Sequence, residues 1–139
     1  MTVIGIGTDI VDIPTFVEQL GLPGSRLAQA FTARERRRAA TRAEENGSGT
    51  GQHLAAVWAL KEAFIKAWSG ALFGSQPPLG RDAVKWTEIE IRHDGWGRPQ
   101  VELHGEVAGA VSASVGSPTV LASASHDGDV ACALVVLDK

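Results

Sequence analysis

The side chains best suited to chemistry in this chain are a carboxylate and an ammonium one helical turn apart. Glu62 and Lys66 lie in His53–Trp68, a segment rich in Ala and Leu with no Gly or Pro, which predicts a strong helix. On a helical wheel the two side chains fall close together, beside Ala55 and Ala59. Their spacing is typical of an exposed ion pair worth about 0.3–0.5 kcal/mol. Alternatively, the two side chains face a charged ligand, for which the small alanines beside them leave space.

Asp9 also has two interpretations. It follows the apolar run Val3–Gly7, which predicts a buried strand with Asp9 at its C-terminal end. An aspartate there can cap a turn or a helix, or it can be an oxygen ligand for a hard cation. Mg²⁺ takes one or two protein carboxylates and completes its shell with water and phosphate, so Asp9 and Glu62 would suffice. Lys61, in contrast, falls inside the apolar stripe of the predicted helix, where an unpaired ammonium is costly.

The other reactive residues show weaker patterns. His126 lies in a turn between two predicted strands, where an exposed histidine is common, and the four histidines lack zinc-ligand spacing. Cys132, the single cysteine, is predicted to pack in the core. Five arginines in Arg34–Arg42 are typical of a solvated helix face, which could also receive an acidic partner. No nucleophile elbow, P-loop or dinucleotide fingerprint is present.

Length and composition narrow the class of protein. With 139 residues, 44% of them apolar, the chain suits a single domain over 1–139 that needs no disulfide. A lone cysteine fits a reducing cytoplasm. The net charge of −3 argues against nucleic acid as a partner, and no apolar run reaches the roughly 18 residues of a membrane span. The N-terminus also lacks the basic region of a signal peptide. We therefore expect a cytoplasmic protein with no nucleic acid and no membrane as partner.

Hydrophobic periodicity predicts the elements that must position these side chains. Apolar residues at helical spacing run from Ile10 to Leu20, and Thr32 with Glu35 forms a capping box that starts a helix near Ala33. The order β-α-α-α-β-β-α-β-β, with adjacent strands close enough for hairpins, predicts an α+β fold with a mainly antiparallel sheet packed against the long helix. The later segments are predicted as a loop over 44–52, strands over 86–92, 101–103, 120–125 and 130–137, and a helix over 106–115.

Three segments together resemble one family, the holo-[acyl-carrier-protein] synthases. Gly5–Ile13 (GIGTDIVDI) resembles their first motif, and Trp58–Ala67 (WALKEAFIKA) resembles the second, with its KEAxxKA pattern. Ala124–His126 resembles their final turn, and Trp96–Pro99 fits the hairpin before it. The order and separations agree over nearly the whole chain. The Trp-Ser-Gly that follows the second motif most resembles the actinobacterial members.

The resemblance implies a 4′-phosphopantetheinyl transferase fold and activity. Such enzymes move phosphopantetheine from coenzyme A to a serine of an apo acyl carrier protein, or of a carrier domain in a fatty acid synthase, and release 3′,5′-ADP. Members of this small type are homotrimers with active sites between subunits. Three other functions stay open on the residues alone: a module that binds coenzyme A without chemistry, a structural domain, and nucleic-acid binding by the arginine helix, which the net charge disfavours.

The resemblance also implies roles for individual residues. Asp9 and Glu62 would hold Mg²⁺, and Lys66 would contact the diphosphate of coenzyme A and the transferring phosphoryl group. Because phosphoryl transfer needs positioning and charge neutralisation, Asp9, Glu62 and Lys66 are the expected catalytic residues. Glu62, directly or through a water molecule, would accept the proton of the carrier serine. The residues expected to bind coenzyme A are Lys61, Lys66, His126, Arg98 and Pro99.

Two departures from the family pattern concern the ligands. Val57 stands where many members have an arginine, so the contact of that arginine must be absent or come from elsewhere. Pro14–Glu18 has no basic residue where many members carry arginines that dock the acidic carrier. We expect Arg26 and the Arg34–Arg42 cluster to take over part of that docking.

Overall fold

Most other elements of the molecule pack against one long central helix. The computed structural model describes residues 1–139, and its elements follow the predicted order, with three short 3₁₀ turns in the connections. No helix combines the length and the hydropathy needed to cross a membrane. The elements are β1 (Val3–Asp12), α1 (Ile13–Leu20), α2 (Ala33–Asn46), α3 (Thr50–Ala71), β2 (Ile89–His93), β3 (Pro99–Leu103), α4 (Gly105–Val115), β4 (Thr119–Asp127) and β5 (Val130–Asp138).

The strands form two antiparallel sheets. β1, β5 and β4 pair in that order, and β2 pairs with β3 as the predicted hairpin. α3 packs against β1 and β5, and its buried side includes Leu60, Ala63, Phe64 and Ala67, which are fully covered. The prediction of an α+β fold with antiparallel strands on a long central helix is therefore confirmed.

Two glycines let β1 approach α3 closely. A Cβ atom at Gly5 would collide with the backbone carbonyl of Ala67, and one at Gly7 would collide with that of Ala63. Strand backbone therefore lies directly on helix backbone, which a larger residue would prevent. This contact places the inward side chains of β1 beside the same turns of α3 that carry Glu62 and Lys66.

The first strand is longer than the sequence predicted. β1 continues to Asp12, so Asp9 lies inside the strand, opposite Ala133 of β5, and not at its end. The physical reason is that alternation continues: Ile10 faces outward and is 74% exposed, whereas Val11 is buried. α1 begins only at Ile13, where Asp12 caps it by accepting a hydrogen bond from the Thr15 backbone N–H.

Several other boundaries differ from the prediction. The expected loop over 44–52 shrinks to 47–49, because α2 continues to Asn46 and α3 begins at Thr50. Gly47 ends α2 with a positive φ of 65°, a conformation that glycine adopts without strain. In the expected strand over 86–92, the first three residues form a 3₁₀ turn and β2 begins at Ile89. The prediction that His126 lies in a turn is also wrong, because β4 continues to Asp127 and His126 pairs with Ala131 inside the sheet. α3 likewise continues past Trp68 to Ala71. These differences leave the order of elements intact.

The outer face of the three-stranded sheet is apolar and open to solvent. Ile6 and Ile10 of β1 are 62% and 74% exposed, and Leu121 of β4 and Leu134 of β5 are 54% and 40% exposed. Cys132 lies on this face and is exposed, so the prediction that it packs in the core is wrong. Its inward neighbours in β5, Ala131 and Ala133, fill the core instead.

Candidate active site

The contact between β1 and α3 brings Asp9 and Lys66 together. The Lys66 ammonium donates a hydrogen bond to Asp9 Oδ1 at 3.0 Å. The Lys66 side chain is 51% exposed, whereas that of Asp9 is 15% exposed. The exposed Glu62–Lys66 bridge that the helical spacing suggested does not form, because the lysine reaches across to the strand.

Glu62 pairs with a residue that the sequence did not single out. The Arg81 guanidinium donates a hydrogen bond from Nη2 to Glu62 Oε1 at 2.7 Å. The glutamate side chain is only 8% exposed, so the pair neutralises a nearly buried carboxylate. Arg81 lies in the connection after α3, and a single arginine in a Gly- and Pro-rich loop carries no spacing signal that could have identified it.

These four side chains share one open cavity of about 320 Å³, whose wall also includes Trp58. Each carboxylate uses only one oxygen for its basic partner, and the second oxygen has no hydrogen-bond donor in the structure. Two carboxylates facing one cavity form a donor set that suits a hard divalent cation completed by water and phosphate. Asp9 and Glu62 therefore fit the metal-binding role expected of them.

Lys61 does not take part in this site. Its side chain is fully buried, and its ammonium donates to the backbone carbonyls of Ala30 and Trp86 as well as pairing with Glu35. All three donors of the ammonium are therefore used inside the protein. The expectation that Lys61 helps to bind coenzyme A is corrected, because a buried ammonium with three partners has no donor left for a ligand.

A second group of predicted residues lies at the other end of α3. His126 is 3.3 Å from the amide nitrogen of Gln52, near the start of that helix. Gln52 and Glu62 are ten positions apart, which is roughly 15 Å along the helix axis. Within one chain, His126 is therefore remote from the two carboxylates.

His126 borders a small basic cavity. This cavity of about 110 Å³ is lined by four basic side chains and no acidic one: Arg38, His53, His93 and His126. Burial, reinforced by the positive charges of Arg38 and Arg42, lowers the pKa of His93 to about 4, and burial also lowers the pKa of His53. The buried Nδ1 of His93 has no hydrogen-bond partner. The lowered pKa values disfavour the charged forms of His53 and His93, so the fixed positive charge of the cavity comes from Arg38, with no acidic side chain to balance it. A concave site of this kind suits an anion.

The remaining predicted residues lie near this basic cavity. Pro99 lines it, and Arg98 lines a neighbouring cavity of about 590 Å³ together with Leu121. The Arg98 guanidinium pairs with Asp94 and lies 5.1 Å from the ring centroid of Trp96. Its side chain is 72% exposed, so it remains open to a ligand.

The arginines of α2 do not form one uniform face. Arg36 and Arg37 are exposed, as expected of a solvated helix face, but Arg34 lies 3.7 Å from the buried Glu90. Arg38 is partly buried and turns into the basic cavity beside His126. The arginines predicted to form one docking surface over Arg34–Arg42 therefore differ in their surroundings: some face solvent, Arg34 is half exposed beside Glu90, and Arg38 faces the cavity.

Comparison with known families establishes the class of protein. The family model of the 4′-phosphopantetheinyl transferase superfamily matches residues 5–135. The chain belongs to this superfamily. The match includes both motifs and the end of β4, so it covers Asp9, Glu62, Lys66 and His126.

Relatives within the superfamily are similar over nearly their full length. A holo-[acyl-carrier-protein] synthase from Corynebacterium glutamicum is 49% identical over 134 residues, covering 96% of this chain and 97% of its own. One from Mycobacterium ulcerans is 43% identical and covers 99% and 98%. A solved ACPS–CoA complex from Chronobacterium ammoniagenes has a TM-score of 0.91 at 46% identity, covering 99% and 98%. The resemblance to actinobacterial holo-[acyl-carrier-protein] synthases is thus confirmed, and the chain is an enzyme of that type.

Proposed function

We propose that this enzyme transfers 4′-phosphopantetheine from coenzyme A to a serine of an apo acyl carrier protein, depends on Mg²⁺ and releases 3′,5′-ADP. The observation that carries the proposal is the cavity in which two carboxylates, Asp9 and Glu62, face two cations, Lys66 and Arg81. A pure binding module has no need of a paired carboxylate site beside a lysine. The coenzyme A complex of the Chronobacterium relative supports the choice of donor.

Each charged side chain of the cavity has its own role in phosphoryl transfer. A bond forms between the serine Oγ and the phosphorus of the pantetheine phosphate, while the bond from that phosphorus to 3′,5′-ADP breaks and its electron pair leaves with 3′,5′-ADP. Glu62, directly or through water, accepts the serine proton. Lys66 neutralises negative charge on the transferring group. Asp9 and Glu62 would hold Mg²⁺, which supplies further charge neutralisation at the diphosphate when bound.

The basic cavity would bind another part of the donor. A phosphate group is negatively charged, and no acidic side chain lines this cavity to balance Arg38. Arginine is well matched to phosphate oxygens. This assigns His126 and Pro99 to coenzyme A binding, as the family resemblance implies. Arg38 would then supply the kind of contact that Val57 cannot make.

We further propose a homotrimer with its active sites between subunits. The exposed apolar face around Ile6, Ile10 and Leu134 is a surface that association would bury. The separation of His126 from Glu62 along α3 supports a site completed by a second copy. The carrier would be a free acyl carrier protein or a carrier domain of a fatty acid synthase, so the activity would serve fatty acid biosynthesis. The cytoplasmic location stays a prediction.

One assay tests the transfer directly. The protein is incubated with an apo acyl carrier protein, coenzyme A and Mg²⁺, and the mass of the carrier is followed by mass spectrometry, with 3′,5′-ADP measured in parallel. We expect the added mass of phosphopantetheine and its loss when Mg²⁺ is chelated. Asp9→Asn and Glu62→Gln should abolish transfer with unchanged circular dichroism. Near wild-type turnover in either variant would contradict the site, and coenzyme A binding without transfer would favour a binding module.

A further inference from the structure

Arg81 combines an exposed position with a nearly buried partner. Its side chain is 67% exposed, yet it holds a carboxylate that is only 8% exposed. Arg81 also lines the cavity of Asp9 and Glu62, a neighbouring cavity of about 520 Å³ beside Lys66 and Trp68, and a third of about 730 Å³. Arg81 therefore lies where three open spaces meet, and none of them is separated from its side chain by the core.

Little besides Glu62 holds the guanidinium in place. Its carbon atom lies 6.0 Å from the ring centroid of Trp86, at the outer limit of a cation–π contact. The backbone around Arg81 is fixed by hydrogen bonds from Ala83 and Val84 to Gly80 and Arg81. A change of side-chain rotamer is therefore enough to release the carboxylate, and the loop need not move.

The charges of the site favour such an exchange. Lys66 is engaged with Asp9 and Lys61 with Glu35, so Arg81 is the counter-ion of Glu62 in the free protein. The two carboxylates and the two cations together are electrically neutral, and a divalent cation entering alone would meet no net negative charge. Once Arg81 leaves Glu62, the carboxylates regain their attraction for the cation and the guanidinium is free for an anion.

We propose that Arg81 is an exchangeable counter-ion of Glu62. In the free enzyme Arg81 forms an ion pair with Glu62. When a divalent cation binds, Arg81 leaves Glu62 and its guanidinium binds a phosphate of the donor. The inference rests on the proposed function and adds to it a residue that binds the donor. Guanidinium suits this second role because its planar fork can donate two hydrogen bonds to one phosphate. It follows that the cation and coenzyme A each strengthen the binding of the other.

The test measures binding and not turnover. Mn²⁺ serves as the probe, its free concentration is read by electron paramagnetic resonance, and coenzyme A binding is measured by calorimetry with and without Mn²⁺. In Arg81→Gln we expect Mn²⁺ without coenzyme A to bind about 5- to 10-fold tighter, since Glu62 has lost its competing cation. Coenzyme A with Mn²⁺ should bind about 10-fold more weakly, and the coupling between the two ligands should shrink.

Two further variants make the result specific. Arg37→Gln removes another exposed guanidinium, one on the solvent side of α2 and away from the cavities described above, and should leave both affinities unchanged. Glu62→Gln should lose the tight Mn²⁺ site, which shows that the probe reports on this carboxylate. Arg81→Lys keeps the charge and should retain wild-type Mn²⁺ affinity.

The proposed function and this inference can fail separately. If Arg81→Gln binds Mn²⁺ no more tightly than the wild type, or if it binds coenzyme A equally well, the exchange is refuted even when the wild type transfers phosphopantetheine. If the wild type transfers nothing, the proposed function is refuted, whatever the Mn²⁺ affinities of the variants are.

Discussion

Lys61 and Glu35 form an ion pair inside the core, with the ammonium nitrogen 2.9 Å from Oε1 and neither side chain exposed. Glu35 also accepts hydrogen bonds from the backbone N–H groups of Thr32 and Ile91, at 2.8 Å each. Burial lowers the pKa of Lys61, and the charge of Glu35 opposes that shift. The pair joins α2 to α3 and to β2, so a lysine of the second family motif supports the fold and not the ligand.

Lys61→Met should therefore lower stability and not substrate affinity. The substitution leaves Glu35 as an unpaired buried charge, which costs about 3–5 kcal/mol of unfolding free energy. Urea unfolding measures the loss, and the double variant Lys61→Met with Glu35→Gln should recover part of it. Unchanged stability together with a raised KM for coenzyme A would show that Lys61 serves the ligand after all.

Mixing two impaired variants tests whether the site is shared between subunits. Glu62→Gln removes the carboxylate site, and His126→Ala removes a group of the basic cavity. If the two halves come from different copies, subunits exchanged between the variants form some sites with both halves intact, and activity returns in the mixture. The measurement is transfer to the carrier before and after exchange. A mixture no more active than its components would refute the shared site, and light scattering independently reports the trimer.

Arg26 is the better placed of the arginines expected to dock the carrier. It is exposed and lines the 730 Å³ cavity that adjoins Trp58 and Arg81, whereas Arg37 lies on the solvent side of α2. Arg26→Glu should raise the KM for an acidic carrier on the order of 10-fold and leave the KM for coenzyme A unchanged, because reversing a steering charge slows association. Arg37→Glu is the matched charge reversal and should have a smaller effect. Equal KM values for both variants and the wild type would remove Arg26 from the docking surface.

The order of elements could be predicted because its signals are local. The capping box at Thr32 and Glu35 and the alternation of the β2–β3 hairpin depend on residues a few positions apart. The end of β1 was predicted too early, because the apolar residues after Gly7 recur at helical spacing. Ile10 and Val11 fit a helix and a strand equally well. The pairing of residues 8–12 with β5, which is a tertiary contact, decides for the strand.

The pairing of charges could not be predicted for the same reason. The spacing of Glu62 and Lys66 predicted a local bridge, but Asp9 reaches Lys66 from a strand far away in the sequence. Arg81 reaches Glu62 from a loop whose path the sequence does not specify. The motifs themselves predicted that Asp9, Glu62 and Lys66 belong together, and the structure brings the three side chains to one cavity.

His93 should make stability depend on pH. Burial, reinforced by the positive charges of Arg38 and Arg42, lowers its pKa from the ordinary 6.5 to about 4, while Asp94 opposes the shift. Between these two pKa values the unfolded chain binds a proton at His93 and the folded state does not. The contribution of His93 to the unfolding free energy therefore falls as the pH drops from 6.5 to about 4. Urea unfolding across this range measures the slope. His93→Gln should flatten it and Arg38→Gln should reduce it. An identical slope in His93→Gln would show that other groups cause it.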